Sequence, residues 1–209
     1  MGSPSCLTDL AAPLVIDTSA AINLIATGCA ADILRALPHG MLAADSIPVE
    51  LEEGRRRGRP DADLLEELVS AGLLKIVTLG NPALAIFEDL VAGSAAATLD
   101  DGEAATIAYA AAHGAVPIID ERKAIRICGE RFPRLPLGCT VDLFAHPEVG
   151  RALGRTKLSQ AVSNALLLAR MRVLPRHVEW VVGLVGTEQA ALCASLHRHI
   201  RKTPDAHRP

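Results

Sequence analysis

The sequence predicts an α/β fold: a three-layer α/β/α arrangement around a short, mainly parallel sheet of four or five strands, with a helical extension at the C-terminal end. Three observations predict it. Short apolar runs such as Leu14–Ile16 and Ala115–Ile119 alternate with helix-length segments carrying apolar stripes, which is the pattern of successive βαβ units. Half of the residues are hydrophobic but only 2% are aromatic, so the core is built from Leu, Val, Ile and Ala, which suits close helix–sheet packing. After Cys128 the alternation stops, and the last third reads as helix alone.

Taken in order, Leu14–Ile16 is the first strand, and Ser19 is placed to cap the helix that follows and ends near Gly28. A short helix over Ala31–Leu37 stops at Pro38, and Met41–Ala44 is a short strand. Ser46 and Pro48 open a helix that carries Glu50 and stops at Gly54. Arg55, Arg56, Arg57 and Arg59 then form a basic loop. Asp61 caps a helix with Leu64, Leu65, Leu68 and Val69 on one face, and Leu73–Leu79 reads as a strand buried on both faces.

Asn81-Pro82 starts a helix with Leu84, Phe87, Leu90 and Val91 turned inward, ended by Gly93. Asp100 or Asp101 caps a helix from about Gly102 to His113, apolar nearly all round and so deeply buried, with Gly114 at its end. The strand Ala115–Ile119 ends on Asp120, although Pro117 counts against a central position. A Pro-rich connection leads to a short element over Thr140–Ala145. Two helical stripes follow: Leu158, Val162, Ala165, Leu166 and Ala169, then Val178, Val181, Val182 and Val185. The organisation expected is a flexible N-terminus over 1–13, an α/β domain over 14–147, a helical extension over 148–201 and a disordered tail over 202–209.

The bulk numbers exclude several classes. A net charge of −3 carries no polybasic signature, so a polyanion would have to be held by local patches. The five cysteines lack CxxC spacing and read as reduced, mostly buried thiols without zinc. No basic segment precedes an apolar N-terminal stretch, so no signal peptide is expected. The longest uncharged stretch, Ala104–Ile119, is interrupted by Gly114 and Pro117 and falls short of the roughly 20 residues of a membrane span. The expectation is a soluble, cytoplasmic protein. His177, His197, His199 and His207 read as surface residues, Trp180 as core or interface packing, and Tyr109 as structural.

Acids recur where a parallel sheet binds ligands, outside the carboxyl ends of its strands. Asp17 ends the first strand, Glu50 lies on the helix after the second, Glu103 sits in the first turn of the buried helix, and Asp120 and Glu121 follow the fourth strand. Two carboxylates about 4 Å apart repel by about 4 kcal/mol at an effective dielectric near 20. Protonation relieves this, and a hard divalent cation relieves it better, because Mg²⁺ and Mn²⁺ prefer oxygen ligands. Such an ion can polarise a phosphate and activate a water.

The stretches VIDTSAAINLIATG, IPVELEEG, LDDGEAATIAYAAAHGA and PIIDERKAIRIC resemble the PIN-domain nucleases, a family that includes the VapC toxins. The resemblance covers roughly Leu14–Cys128 and implies a PIN-like fold and hydrolysis of RNA phosphodiester bonds with Mg²⁺ or Mn²⁺. It assigns metal binding to Asp17, Glu103 and Asp120, with Glu121 as a further ligand where the family often has a second Asp. Glu50 completes the catalytic acids. Thr18 or Ser19, and Asn23, support the site, and the Gly-Glu-Ala signature of one subgroup falls on Glu103. Arg55, Arg56, Arg57 and Arg59 are candidates for RNA contact. If the chain is a toxin, a small antitoxin would block the acidic cleft, and the apolar C-terminal third would serve its own core or a homodimer interface.

Plainer roles exist for each residue. Asp17 and Asp120 suit helix caps, Glu103 suits a helix N-terminus by about 0.3–1 kcal/mol, and Glu50 belongs to an acidic face with Glu52 and Glu53. That account needs four separate coincidences. Two other functions compete: a degenerate PIN-like module that binds RNA or protein without cutting, and a phosphatase with Asp17 as nucleophile. The haloacid-dehalogenase pattern for the latter wants a second Asp two residues on, where this chain has Ser19.

Overall fold

The computed structural model describes residues 5–7 and 11–196. The elements run β1 (Leu14–Ile16), α1 (Thr18–Ala26), α2 (Ala30–Ala36), β2 (Met41–Ala44), α3 (Ser46–Arg55), α4 (Asp61–Ser70), β3 (Lys75–Val77), α5 (Asn81–Val91), α6 (Asp101–His113) and β4 (Val116–Ile118). They continue with α7 (Arg122–Arg131), α8 (Thr140–Phe144), α9 (Pro147–Leu168), a single 3-10 turn (Pro175–His177), α10 (Val178–Val185) and α11 (Thr187–Ala191). The sheet is four-stranded and parallel, in the order β3-β2-β1-β4, with Leu14 opposite both Met41 and Val116, and Ile16 opposite Ala43 and Ile118.

Pro117 fits because β4 is an edge. Its carbonyl accepts from Gly138 N on the side away from β1, so the donor that proline lacks also faces outward. Val116 N and Ile118 O point the other way, to Pro13 O and Asp17 N. Gly138 adds a one-residue parallel bridge to Ile118, the trace of a fifth strand. A Cβ at Gly138 would stand 2.7 Å from Ile118 Cδ1 and 3.1 Å from Leu7, so only glycine lets the chain pass here.

The strands alternate between two faces. Leu14, Ile16, Met41, Ala43, Val116 and Ile118 share one apolar cluster with α1, α2, α4, α8 and α9. Val15 turns the other way, onto Ala110 of α6. Helix α6 is packed against α5 and is buried along Ala104–Ala108, as its all-round apolar character predicts. Its C-terminal Gly114 is left-handed at φ 67°, the helix-ending conformation that glycine adopts without a Cβ clash. Among the described residues no helix is long and apolar enough to cross a membrane.

Several expectations are corrected. The strand expected over Leu73–Leu79 is only Lys75–Val77, an edge strand with Lys75 exposed, because β2 is its single neighbour in the sheet. On α5 the inward position falls on Ala83, and Leu84 is 41% exposed, since the small residue permits close approach to α6. Asp17, not Ser19, caps α1, and Asp61 lies inside the first turn of α4, paired with Arg59. His177 is fully buried rather than on the surface.

The stretch expected to be a flexible N-terminus is docked where it is described: Leu7 is fully buried, and Cys6 N donates to Asp142. Leu158, Val162, Ala165, Leu166 and Val181 belong to the same cluster as β1, and α9, interrupted at Gly154, packs on α1 and α2. The tail over 202–209, with His197, His199 and His207, lies outside the described residues. All five cysteines are free thiols, with Cys128, Cys139 and Cys193 buried.

Candidate active site

The chain steps from β1 through β2 to β3 on one side, then crosses to β4 on the other side of β1. The crevice over the carboxyl ends of β1 and β4 is therefore a topological switch point, where open parallel sheets bind ligands. Asp17 is the first residue after β1 and Asp120 the second after β4, and Asp17 N donates to Ile118 O at 3.3 Å. The sheet thus brings two acids, a hundred residues apart in sequence, to one rim.

Both are 2–3% exposed. Asp17 accepts from Ala20 N at 2.6 Å and from Ser19 Oγ at 3.0 Å. Its helix-capping role is therefore real and coexists with any other. Burial, then repulsion from Asp120, and less strongly from Glu103, push its carboxyl up to about 8 despite these bonds. Asp120 accepts from Asn23 Nδ2 at 2.8 Å, from Thr140 N at 2.9 Å and from the Thr140 hydroxyl. Burial still raises its carboxyl above the usual range against those donors. Among the described residues no lysine or arginine pairs with either acid, in contrast to Glu121 and Asp142.

Glu103, in the first turn of α6, is half-buried and also raised, by burial first and then by Asp100, with Lys123 and Arg172 pulling the other way. Glu50 is exposed and tied to Thr18, whose hydroxyl donates at 2.6 Å. A Cβ at Gly102 would lie 2.7 Å from Glu50 Oε1 and 3.1 Å from Thr18 Oγ1. The glycine before Glu103 therefore lets α3 and the start of α1 close on α6. Glu121 is held in an ion pair with Arg172.

A cavity of about 210 Å³ opens at this rim, lined by Ser19, Asn23, Glu103, Asp120, Glu121 and, from the chain after α9, Arg170, Met171 and Arg172. Ser19, which lines it, donates to Asp17, while Glu50, held by Thr18, is not among the lining residues. The basic loop is not gathered here. Arg55 pairs with Glu52, Asp63 and Glu66, Arg57 with Glu53, and Arg59 with Asp61.

The acids present an all-oxygen donor set with uncompensated charge, which suits Mg²⁺ or Mn²⁺. Their spacing is open. Among the described residues the group of three metal-type side chains whose ligand atoms all lie within 4.8 Å is a different one: Cys139, Asp142 and His177. That knot is already satisfied. Asp142 accepts from Cys6 N, Cys139 N, Cys139 Sγ and Arg176 Nη2, and lies 3.2 Å from His177 Nε2. Burial alone would raise its carboxyl, yet the His177 and Cys139 bonds hold it well below the ordinary range. The knot fastens the N-terminal segment, α8 and the 3-10 turn together. Asp17 and Asp120 accept hydrogen bonds but, among the described residues, have no cationic partner, and Mg²⁺ keeps several waters that span a wider set.

Sequence reasoning missed Thr140, Gly102, Arg170 and Arg172. Gly102 left a signal, since glycine inside a helix costs up to about 1 kcal/mol and needs a reason. Thr140 and the two arginines left none, because only the fold carries them to the rim.

An α/β/α fold with buried acids at its switch point is an arrangement able to hold a divalent ion at a sheet edge. Residues 13–132 match the family model described as a PIN domain, and the chain belongs to the PIN-domain family. PIN domains are generally nucleases that use divalent metal ions. No curated protein and no solved structure matched the chain significantly.

Proposed function

We propose that the protein is a metal-dependent endoribonuclease hydrolysing RNA phosphodiester bonds. The observation that carries this reading is the pair Asp17 and Asp120: nearly fully buried, mutually repelling, and without a cationic partner among the described residues. Asp17, Asp120 and Glu103 would hold Mg²⁺ or Mn²⁺. The ion, when bound, supplies Lewis-acid activation of the phosphate and of an attacking water.

The chain's own groups do the positioning. Ser19 and Ala20 N orient Asp17, and Asn23 and Thr140 orient Asp120. Thr18 and Gly102 keep Glu50 beside the first turn of α6, where it would complete the set of acids. Single-stranded or looped RNA suits an open rim better than a duplex. The same chemistry suits the toxin of a toxin–antitoxin pair, with a protein partner closing the cleft; growth arrest on expression of wild type but not of Asp17→Asn tests that role.

The experiment for the enzyme is cleavage of a labelled single-stranded RNA with and without Mn²⁺. Wild type cuts only with the ion, and Asp17→Asn, still folded by circular dichroism, does not. Equal cleavage by that variant removes the assignment. The open spacing of the acids and the Glu121–Arg172 pair favour, as a second reading, a module that binds RNA without cutting. Binding without Mn²⁺-dependent product would select it.

A further inference from the structure

We propose that Arg172, with Arg170 beside it, holds the phosphate of the nucleic acid at the acidic cleft, so that the C-terminal extension completes a site whose acids all lie within residues 13–132. This rests on the nuclease reading above. Between α9 and the 3-10 turn the chain has no regular secondary structure, and burial alternates from residue to residue over 170–173. Met171 and Val173 are 1% and 4% exposed and belong to the main apolar cluster, while Arg170 and Arg172 are exposed. The segment is set by its start: Arg170 takes a left-handed backbone at φ 54°, and Met171 N donates to Ala165 O at 3.1 Å. A non-glycine residue adopts that conformation only when its surroundings hold it there.

Both arginines line the cavity with Glu103 and Asp120. Arg172 pairs with Glu121 and draws the Glu103 carboxyl down, so its guanidinium sits in the field of both acids. An RNA phosphate entering this cleft is repelled by the same acids that would hold the ion. A guanidinium fork offsets that repulsion, and it binds phosphate and carboxylate in the same way. In this arrangement Glu121 occupies the fork in place of phosphate. The pair is 57% and 34% exposed, so it opens readily to a competing anion. A second groove of about 730 Å³ has Ala169 and Arg170 in common with the cleft and is lined further along by Arg59. Arg55, Arg57 and Arg59 also pair with neighbouring acids, and unlike Arg170 and Arg172 they do not line the acidic cavity.

The test uses the full chain and a fluorescent single-stranded RNA. Binding is read by anisotropy in metal-free buffer across a salt series, and cleavage is read with Mn²⁺. Arg172→Gln is expected to weaken binding about tenfold and raise KM alike, with kcat changed less, and to lower the magnitude of the salt slope by about 0.7, the value for one phosphate contact on a single strand. Arg172→Lys restores the slope and part of the affinity. Glu121→Gln frees the arginine and tightens metal-free binding. If wild type cuts and Asp17→Asn does not, yet Arg172→Gln keeps the wild-type KM and salt slope, this inference alone is overturned. If Arg172→Gln and Glu121→Gln lose thermal stability equally while the slope stands, the pair is a structural clamp and the inference is again overturned. Wild type that neither binds nor cuts RNA overturns both readings.

Discussion

Asp17→Asn in the metal-free protein should stabilise the fold at pH 8 and do so less at pH 5. A free aspartate ionises near 3.9, and burial with the repulsion of Asp120 moves Asp17 to about 8, a rise of about four units. Because the folded pKa is raised, the folded state holds the proton more tightly than the unfolded chain. The associated stability is fully present below about pH 4 and is lost as the pH climbs through about 8. At about 1.36 kcal/mol per unit, the ceiling on that loss is on the order of 5 kcal/mol. Asparagine does not ionise, and its carbonyl can still accept from Ala20 N, so the cap on α1 survives. If 2 kcal/mol of the ceiling is realised, the variant melts roughly 4–8 °C above wild type at pH 8. Scanning calorimetry in a chelator at pH 5 and pH 8 reads the difference, and Mn²⁺ at 100 times its Kd should restore about 2.7 kcal/mol to wild type alone. A variant that melts below wild type at pH 8, or a gap that does not widen with pH, refutes the reasoning.

Thr140→Val removes the hydroxyl donor to Asp120 while keeping its shape, and should weaken Mn²⁺ binding about 10–100-fold by calorimetry, with little change in melting. Gly102→Ala drives a methyl against the flexible end of Glu50 and against Thr18; it should leave stability within about 1 kcal/mol, since the helix gains from the alanine, yet lower cleavage, and unchanged cleavage would show that Glu50 has no part in the site. Gly138→Ala meets the fully buried Ile118 and Leu7 instead, so it should cost about 1–3 kcal/mol in urea unfolding. Asp142→Asn should lower stability at neutral pH by an amount that shrinks on acidification, because a depressed carboxyl contributes only above its unfolded pKa and loses that contribution as the pH falls; a loss independent of pH would contradict the assignment of charge to the knot.

Much of the fold was legible because local rules and tertiary packing agree. β1 and β2 fall where the apolar runs place them, and α6 with its left-handed Gly114 follows from composition and capping alone. The failures have physical sources. β3 looked buried because Leu73 and Leu74 are apolar, but Leu74 packs from the turn before the strand rather than within it. His177 and Asp142 look like surface groups in isolation, and only the fold supplies the Cys139, Arg176 and N-terminal donors that make their burial tolerable. At the candidate site the acids ending strands were readable, since strand ends are encoded locally. Asn23 was readable through the resemblance, but Thr140 and Arg172 were not: they reach Asp120 and Glu121 from 20 and about 50 residues further along the chain, and their role exists only once the sheet order is set.

The most direct measurement is the position of a Mn²⁺ anomalous peak in crystals of the full chain soaked in the ion. The account predicts one peak at the carboxyl ends of β1 and β4, between Asp17, Asp120 and Glu103. A peak at Cys139, Asp142 and His177 instead, or a rim that stays empty at millimolar Mn²⁺, would contradict it.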